Sequence, residues 1–215
     1  MRFSDVEPRL GRLPARLPGA PRELLPVVVR SLDPARTGLP SWPDAPEREA
    51  AVLLLIYPDE TGDACIVLTE RPAAARRHAG QISLPGGALD DEDESFVATA
   101  LREASEEVGL DADEAGLKVH RVLAPVDVRV SGFRVHPVVA SAPRRPRLQP
   151  DAHEVAAIVH APLAAFVPPA PVEIVTAELD GYLLRYGAYR VGDYLVWGAT
   201  AGILGRFGAF LARGR

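Results

Sequence analysis

Leu101–Leu110 reads LREASEEVGL. On a helix that begins at Phe96, its three glutamates Glu103, Glu106 and Glu107 stand at i, i+3 and i+4. They share one face, because each residue advances about 100°. On the same wheel Phe96, Val97, Ala100, Leu101, Ala104 and Val108 fill an arc of about 0 to 140° from Phe96, the expected buried stripe. Glu106, Glu103 and Glu107 fall at about 280, 340 and 20°. The acidic face therefore borders the stripe, and Glu107 overlaps its edge. This placement is locally unfavourable. Glu103 and Glu107 are like charges at i,i+4, which costs a few tenths of a kcal/mol. Glu106 and Glu107 lie in the last turn before Gly109, the expected cap, where the helix dipole disfavours anions. A divalent cation such as Mg²⁺ or Mn²⁺, which takes carboxylate oxygens, resolves these conflicts together. A solvated acidic helix face is the competing reading.

The residues upstream weigh in favour of the cation. Ser83–Leu110 reads SLPGGALDDEDESFVATALREASEEVGL: a glycine turn, an acidic helix start, then the glutamates. The stretch resembles the Nudix hydrolase signature, G-x5-E-x7-R-E-U-x-E-E-x-G-U with U aliphatic. Arg102, Glu103, Ala104, Glu106, Glu107, Gly109 and Leu110 match it in place. Six residues rather than five separate Gly87 from Glu94. The acidic partner of Arg102 is therefore Glu94 when counted from Arg102, or Asp93 when counted from Gly87.

Just before the glycines runs Arg71–Gln81, RPAAARRHAGQ, with Arg71, Arg76, Arg77 and Gly80. A cationic loop leading into an acidic helix suits a polyphosphate ligand, since guanidinium groups bind phosphate bidentately. Leu68, Thr69, Arg71, Arg76, Gly80, Pro85, Gly86 and Gly87 are similar in register to the extra motif of coenzyme A pyrophosphatases; Val67, Pro72 and Leu84 depart from it. A second arginine cluster, Arg144, Arg145 and Arg147, lies far along the chain in APRRPRLQP, a Pro-rich loop whose place in the fold is not readable.

The resemblance implies an α/β fold, the Nudix-type α/β/α sandwich with a mixed β-sheet between helices. It implies metal-dependent hydrolysis of the diphosphate bond of coenzyme A or an acyl-coenzyme A, giving 3',5'-ADP and a 4'-phosphopantetheine. Glu103, Glu106 and Glu107 would hold Mg²⁺ or Mn²⁺, which lowers the pKa of a bound water and offsets diphosphate charge. Glu107 or Glu154 would orient or deprotonate that water. Arg102 would brace the helix. Arg71, Arg76, Arg77, Gly80, Gly86 and Gly87 would bind the substrate. A general pyrophosphatase for ADP-ribose-type nucleoside diphosphate derivatives is the alternative within enzymes. A Nudix-like nucleotide-binding regulator without turnover is the alternative of another class, and such a module should have lost metal ligands that this chain keeps.

The composition is ordinary for a soluble globular protein. Of 215 residues 47% are hydrophobic and 25% charged, and the net charge of −5 offers no general attraction to nucleic acid. Cys65 is the only cysteine, so no disulfide forms within the chain, and a reducing cytoplasm fits. No signal peptide is read, and a homodimer is left open. Neither a P-loop, a GxGxxG, a GxSxG nor a zinc-type histidine spacing is found.

Residues 1–48 read as an N-terminal extension packing on the domain 49–215, one globular domain overall, with a short helix at Pro21–Leu32 and a linker at Pro40–Pro46. Strands are expected at Ala50–Tyr57 and Ala64–Thr69, forming a hairpin, and at Lys118–Val130 and Phe133–Ala140. His153–Ala161 is a further apolar run, Pro162–Phe166 a helical turn, and Val172–Ala177, Tyr182–Tyr186 and Tyr189–Val191 short strands. Tyr194–Leu211 is the longest apolar stretch. Arg206 and four glycines weaken it as a membrane span, and a buried terminal helix is expected.

Overall fold

The computed structural model describes residues 1–33, 46–73, 80–179 and 181–213. Arg76, Arg77 and all but the last residue of the expected linker lie outside the described residues. The chain opens with helix α1 (Phe3–Leu10), a 3-10 turn (Arg22–Leu24) and strand β1 (Val27–Ser31). β2 (Arg48–Pro58), β3 (Ala64–Glu70), β4 (Ile82–Ser83) and β5 (Gly86–Ala88) lead into helix α2 (Phe96–Val108). β6 (Lys118–Val122), β7 (Val126–Val128), β8 (Phe133–Ser141) and β9 (Ala157–Pro162) follow, then a 3-10 turn at Leu163–Phe166. β10 (Glu173–Leu179), β11 (Tyr182–Val191), β12 (Tyr194–Val196) and helix α3 (Gly198–Ala212) complete the chain.

The main sheet runs β4-β3-β2-β8-β6, with β5 also on β2, β7 on β8 and β9 on β3. β2 and β8 are parallel, from Arg48↔Phe133 to Ile56↔Ser141, while β3, β5 and β6 pair antiparallel, so the sheet is mixed. β2 is an unbroken apolar run because both its faces are covered. Ala51, Leu53, Leu55 and Tyr57 pack with Ala100, Ala104 and Val108 of α2. Leu54 and Ile56 join the core that holds Leu204, Phe207 and Leu211 of α3 and Val6 and Leu10 of α1. Helices thus cover both faces of a mixed sheet, which is the expected α/β/α sandwich. A second sheet, β1-β11-β10 with β12 on β11, lies beside it.

The N-terminal residues are tied to the rest at several points. The Met1 ammonium stands 3.3 Å from Asp63. Arg9 donates to the carbonyl oxygens of Leu211 (2.6 Å) and Phe210 (3.0 Å), placing a cation at the C-terminus of α3 where the dipole favours it.

Several expected elements differ. Pro21–Leu32 is not a helix: Pro26 cannot donate to a helical ladder, and Val27, Val28, Arg30 and Ser31 pair with β11 instead, with a bulge at Val29. Leu24, Leu25, Val28 and Val29, which would share one face of that helix, do not share a buried face: only Leu24 is buried, and Leu25 and Val29 are more than half exposed. Lys118–Val130 is two strands, β6 and β7, separated around Pro125, where Ala124 donates to Ala15. Tyr182–Tyr186 and Tyr189–Val191 are one strand, β11, continuous through Gly187; a Cβ there would stand 2.5 Å from the Glu23 carbonyl oxygen. Tyr194–Val196 is β12, and the terminal helix begins only at Gly198. No helix among the described residues is long and apolar enough to cross a membrane.

Candidate active site

The site is built on α2 and on the β5 turn that faces it. Ser95 caps the helix, its hydroxyl accepting from the Ala98 N–H at 3.2 Å. Gly109 ends it in the left-handed region, with its N–H on Ser105 and the Leu110 N–H on the Ala104 carbonyl. Between these caps the buried residues are Thr99, Ala100, Ala104, Glu107 and Val108. The buried face is therefore turned toward the glutamates relative to the expected stripe. Phe96, Val97 and Leu101 are only half-buried, while Thr99 is fully buried. At the helix start Phe96 stacks flat on His136 of β8, ring centroids 3.6 Å apart, and His136 Nε2 lies 2.7 Å from Glu49.

Glu107 is 6% exposed and accepts from the Gly86 N–H at 3.1 Å. Burial pushes its pKa up to about 7 against that hydrogen bond; Glu103 and Glu154 push the same way and Arg71 opposes them. Glu103 leans on Gly87, where a Cβ would stand 2.4 Å from its carboxylate. Burial raises its pKa as well, opposed by Arg102, with Glu106 and Glu154 adding to the rise. Gly86 and Gly87 thus spend their N–H and their missing side chain on the carboxylates. Gly86, at φ 148°, also lies against β2, where a Cβ would meet the Ala51 carbonyl oxygen at 2.3 Å.

Arg102 resolves the count left open by the extra residue. Its Nε and Nη2 donate to Asp93 at 3.1 and 2.9 Å, and Nη2 also reaches the Ala88 carbonyl at 3.2 Å. Asp93 also accepts from the Asp90 N–H. The guanidinium holds the Asp93 carboxyl well below its ordinary range. The remaining nitrogen, Nη1, contacts Glu103 (3.1 Å) and the half-exposed Glu106 (3.0 Å).

Arg71 and Glu154 come from other elements. Arg71 follows β3; its N–H donates to Gln81 and its carbonyl accepts from Gly80, closing the base of the loop. Glu154 lies in the turn before β9, its N–H on Asp151, and that turn is tied to α2 by the Asp151 N–H on the Glu107 carbonyl. The coupling of Glu154 to both Glu103 and Glu107 brings a fourth carboxylate, from a segment about fifty residues on, toward the same cluster.

A hard divalent cation suits this donor set chemically: all oxygen, with burial and mutual repulsion disfavouring the charged forms. The carboxylates are not gathered around one point as they stand. Glu103 and Glu106 share Arg102, and no three acidic, histidine or cysteine side chains among the described residues are grouped closely enough to hold a metal ion.

Residues 47–179 match the NUDIX domain family. An uncharacterized Nudix hydrolase, NudL, of Cronobacter sakazakii is 40% identical over 159 residues, spanning 74% of this chain and 80% of that protein. The mitochondrial Nudix hydrolase 15 of Arabidopsis thaliana is 36% identical over 163 residues, 73% of this chain and 56% of that protein. Among solved structures, the Nudix hydrolase RenU of M. smegmatis is 28% identical, with a TM-score of 0.46 over 54% of this chain and 71% of its own. The matched residues run from the start of β2 to the end of β10 and so include the β5 turn, α2 and Glu154. On this extent of likeness, the chain belongs to the Nudix hydrolase family.

Proposed function

We propose that the chain hydrolyses the diphosphate bond of coenzyme A or an acyl-coenzyme A, giving 3',5'-ADP and a 4'-phosphopantetheine product. The observation that carries the hydrolytic reading is the buried Glu107, held by the Gly86 N–H, with Glu103 beside it against Gly87. Glu103, Glu106 and Glu107 would hold Mg²⁺ or Mn²⁺, which would supply Lewis acidity toward the diphosphate oxygens and toward water. Arg102, anchored on Asp93, keeps α2 and the β5 turn in register. Glu154 is exposed, and its carboxylate makes no hydrogen bond among the described residues. It is therefore the carboxylate free to take a proton as the water oxygen bonds to one phosphorus and the bridging P–O bond breaks. The bridging oxygen leaves with the other phosphate.

The coenzyme A assignment is supported by the loop between β3 and β5. Arg71 is electrostatically coupled to Glu107, and the loop base is closed by the paired Arg71–Gln81 and Gly80–Arg71 hydrogen bonds. Arg71 would supply the cation that a phosphate near Glu107 needs. A charge-assisted contact contributes about 1.5–3 kcal/mol, or about ten- to a hundredfold in kcat/KM.

The test is a diphosphate panel of coenzyme A, dephospho-coenzyme A and ADP-ribose with Mg²⁺ or Mn²⁺ and product identification. Arg71→Ala is expected to lower kcat/KM for coenzyme A by that factor. Glu103→Gln and Glu107→Gln are each expected to lower kcat at least about a hundredfold, the common effect of removing a charge-stabilising group. A wild type that prefers ADP-ribose, with Arg71→Ala unchanged on coenzyme A, removes the coenzyme A assignment. It leaves a general nucleoside-diphosphate hydrolase. Near-normal turnover in both glutamate variants removes the carboxylate site itself.

A further inference from the structure

The second arginine cluster, unreadable in the sequence, has a definite place. Among the described residues a cavity of about 240 Å³ lies beyond the C-terminal end of α2, with Asp111, Glu114 and Ala115 in one wall and Arg144, Arg145 and Arg147 in the other. Both walls are pinned. The Asp111 carbonyl accepts from Ala115, the Asp111 carboxylate accepts from the Glu114 N–H at 2.8 Å, and Ala115 is buried. The arginine loop is held at one end by Ala142 donating to Ile56. At the other end, Gln149 and Asp151 donate to the carbonyls of Val108 and Glu107.

The cavity carries three arginines against two carboxylates, Asp111 and Glu114. Arg144 donates to the Glu114 carbonyl at 3.0 Å. Arg147 meets the Glu114 carboxylate at 3.3 Å, but that pair is 90% and 55% exposed, and exposed ion pairs contribute little and exchange readily. Arg145 makes no hydrogen bond or ion pair among the described residues. Its charge acts to lower the pKa of both the Tyr57 hydroxyl and the His160 imidazole. At about 240 Å³ the space falls short of the roughly 300–1,000 Å³ that encloses a drug-sized ligand, and five of its seven lining residues are charged. One tetrahedral, doubly charged group fits within this space and suits the planar donors.

We propose that this cavity is a binding site for a phosphate monoester, with Arg145 and Arg147 as its cationic donors. Because the same loop ends on the carbonyl of Glu107, a phosphate there would sit at one end of a segment whose other end abuts the carboxylate cluster. The monoester is either a remote phosphate of the substrate or a free phosphate acting apart from turnover.

Inorganic phosphate is titrated calorimetrically into the full chain, in chelator and at constant ionic strength. Wild type is compared with Arg145→Ala, Arg147→Ala and Arg71→Ala, each checked for an unchanged Tm. One equivalent should bind to wild type, with Kd raised at least tenfold in Arg145→Ala and Arg147→Ala and unchanged in Arg71→Ala. Arg145→Lys, which keeps the charge and loses the planar fork, should fall between. No binding by wild type, or binding lost only in Arg71→Ala, overturns the site.

This titration is independent of which diphosphate is cut; the comparison that follows rests on the coenzyme A reading. A fall in kcat/KM of at least tenfold in Arg145→Ala, confined to coenzyme A and absent for dephospho-coenzyme A, assigns the cavity to the substrate's own 3'-phosphate. Unchanged kcat/KM on both, with phosphate binding still dependent on Arg145, assigns it to a free monoester. If neither substrate turns over, the coenzyme A reading fails while the titration still decides the site.

Discussion

Two adjacent glycines hold the carboxylates by different means, and substitution should separate them. A methyl group on Gly86 would meet backbone, the Ala51 carbonyl oxygen at 2.3 Å, and would occupy a φ of 148° that L residues rarely adopt. Gly86→Ala is expected to destabilise the protein by about 3 kcal/mol or more, read as a fall in the denaturation midpoint. A methyl on Gly87 would first meet the Glu103 carboxylate at 2.4 Å, the far end of a flexible side chain. Gly87→Ala should therefore fold with little loss of stability and lose about a hundredfold in kcat, because Glu103 is displaced. Equal stability losses in the two variants would contradict this division. Glu107→Gln should leave the metal-free protein as stable as wild type or slightly more so, since it relieves a like-charge pair on a buried face.

The helix α2 is where sequence and structure can be compared turn by turn. Its C-terminal cap, Gly109, and its core positions Ala100, Ala104 and Val108 follow from pattern alone, whereas the N-cap Ser95 emerges only in the structure. The partner of Arg102 does not, because one extra residue makes both Asp93 and Glu94 acceptable by count. The structure chooses Asp93, which also closes its own turn onto Asp90. A double-mutant cycle on thermal stability should show coupling between Arg102 and Asp93 and none between Arg102 and Glu94. Coupling to Glu94 instead would mean that the inserted residue lies on the other side of the brace. Thr99 entered the buried face without a sequence signal: a Thr on an acidic helix is ordinary on a surface, and only the rotation of α2 against β8 buries it.

At the scale of the whole molecule, polar groups sit inside the sandwich as well as at its rim. His160 on β9 is hydrogen-bonded through Nδ1 to the Tyr57 hydroxyl of β2, and the two rings meet edge to face. Burial lowers the His160 pKa below its ordinary 6.5, and Arg145 lowers it further. The folded state therefore holds the neutral imidazole. The stability this contributes is fully present above about pH 6.5, the unfolded value, and is lost as pH falls through the lowered folded value. Wild type should lose more thermal stability than His160→Gln between about pH 7.5 and about pH 5. Parallel Tm profiles for the two proteins would show that His160 titrates normally in the fold.

What the chain determines by itself is local. The unbroken apolar run of β2, the β2–β3 hairpin, the capped helix and the three glutamates on one face depend on spacing and residue type within a few turns, and they were legible as such. Tertiary structure decided what depends on segments far apart in sequence. It buried Glu107 while leaving Glu106 half-exposed, chose Asp93 over Glu94, and tied the turn that carries Glu154 to the Glu107 carbonyl. It also drew Val27–Val29 out of an expected helix by offering β11 as a partner, and closed Arg144–Arg147 against the end of α2 as a cavity wall. The physical reason is the same in each case. Pairing and desolvation energies depend on what lies across a gap of a few ångströms, and that neighbour is set by the folded chain rather than by the residues beside it in sequence.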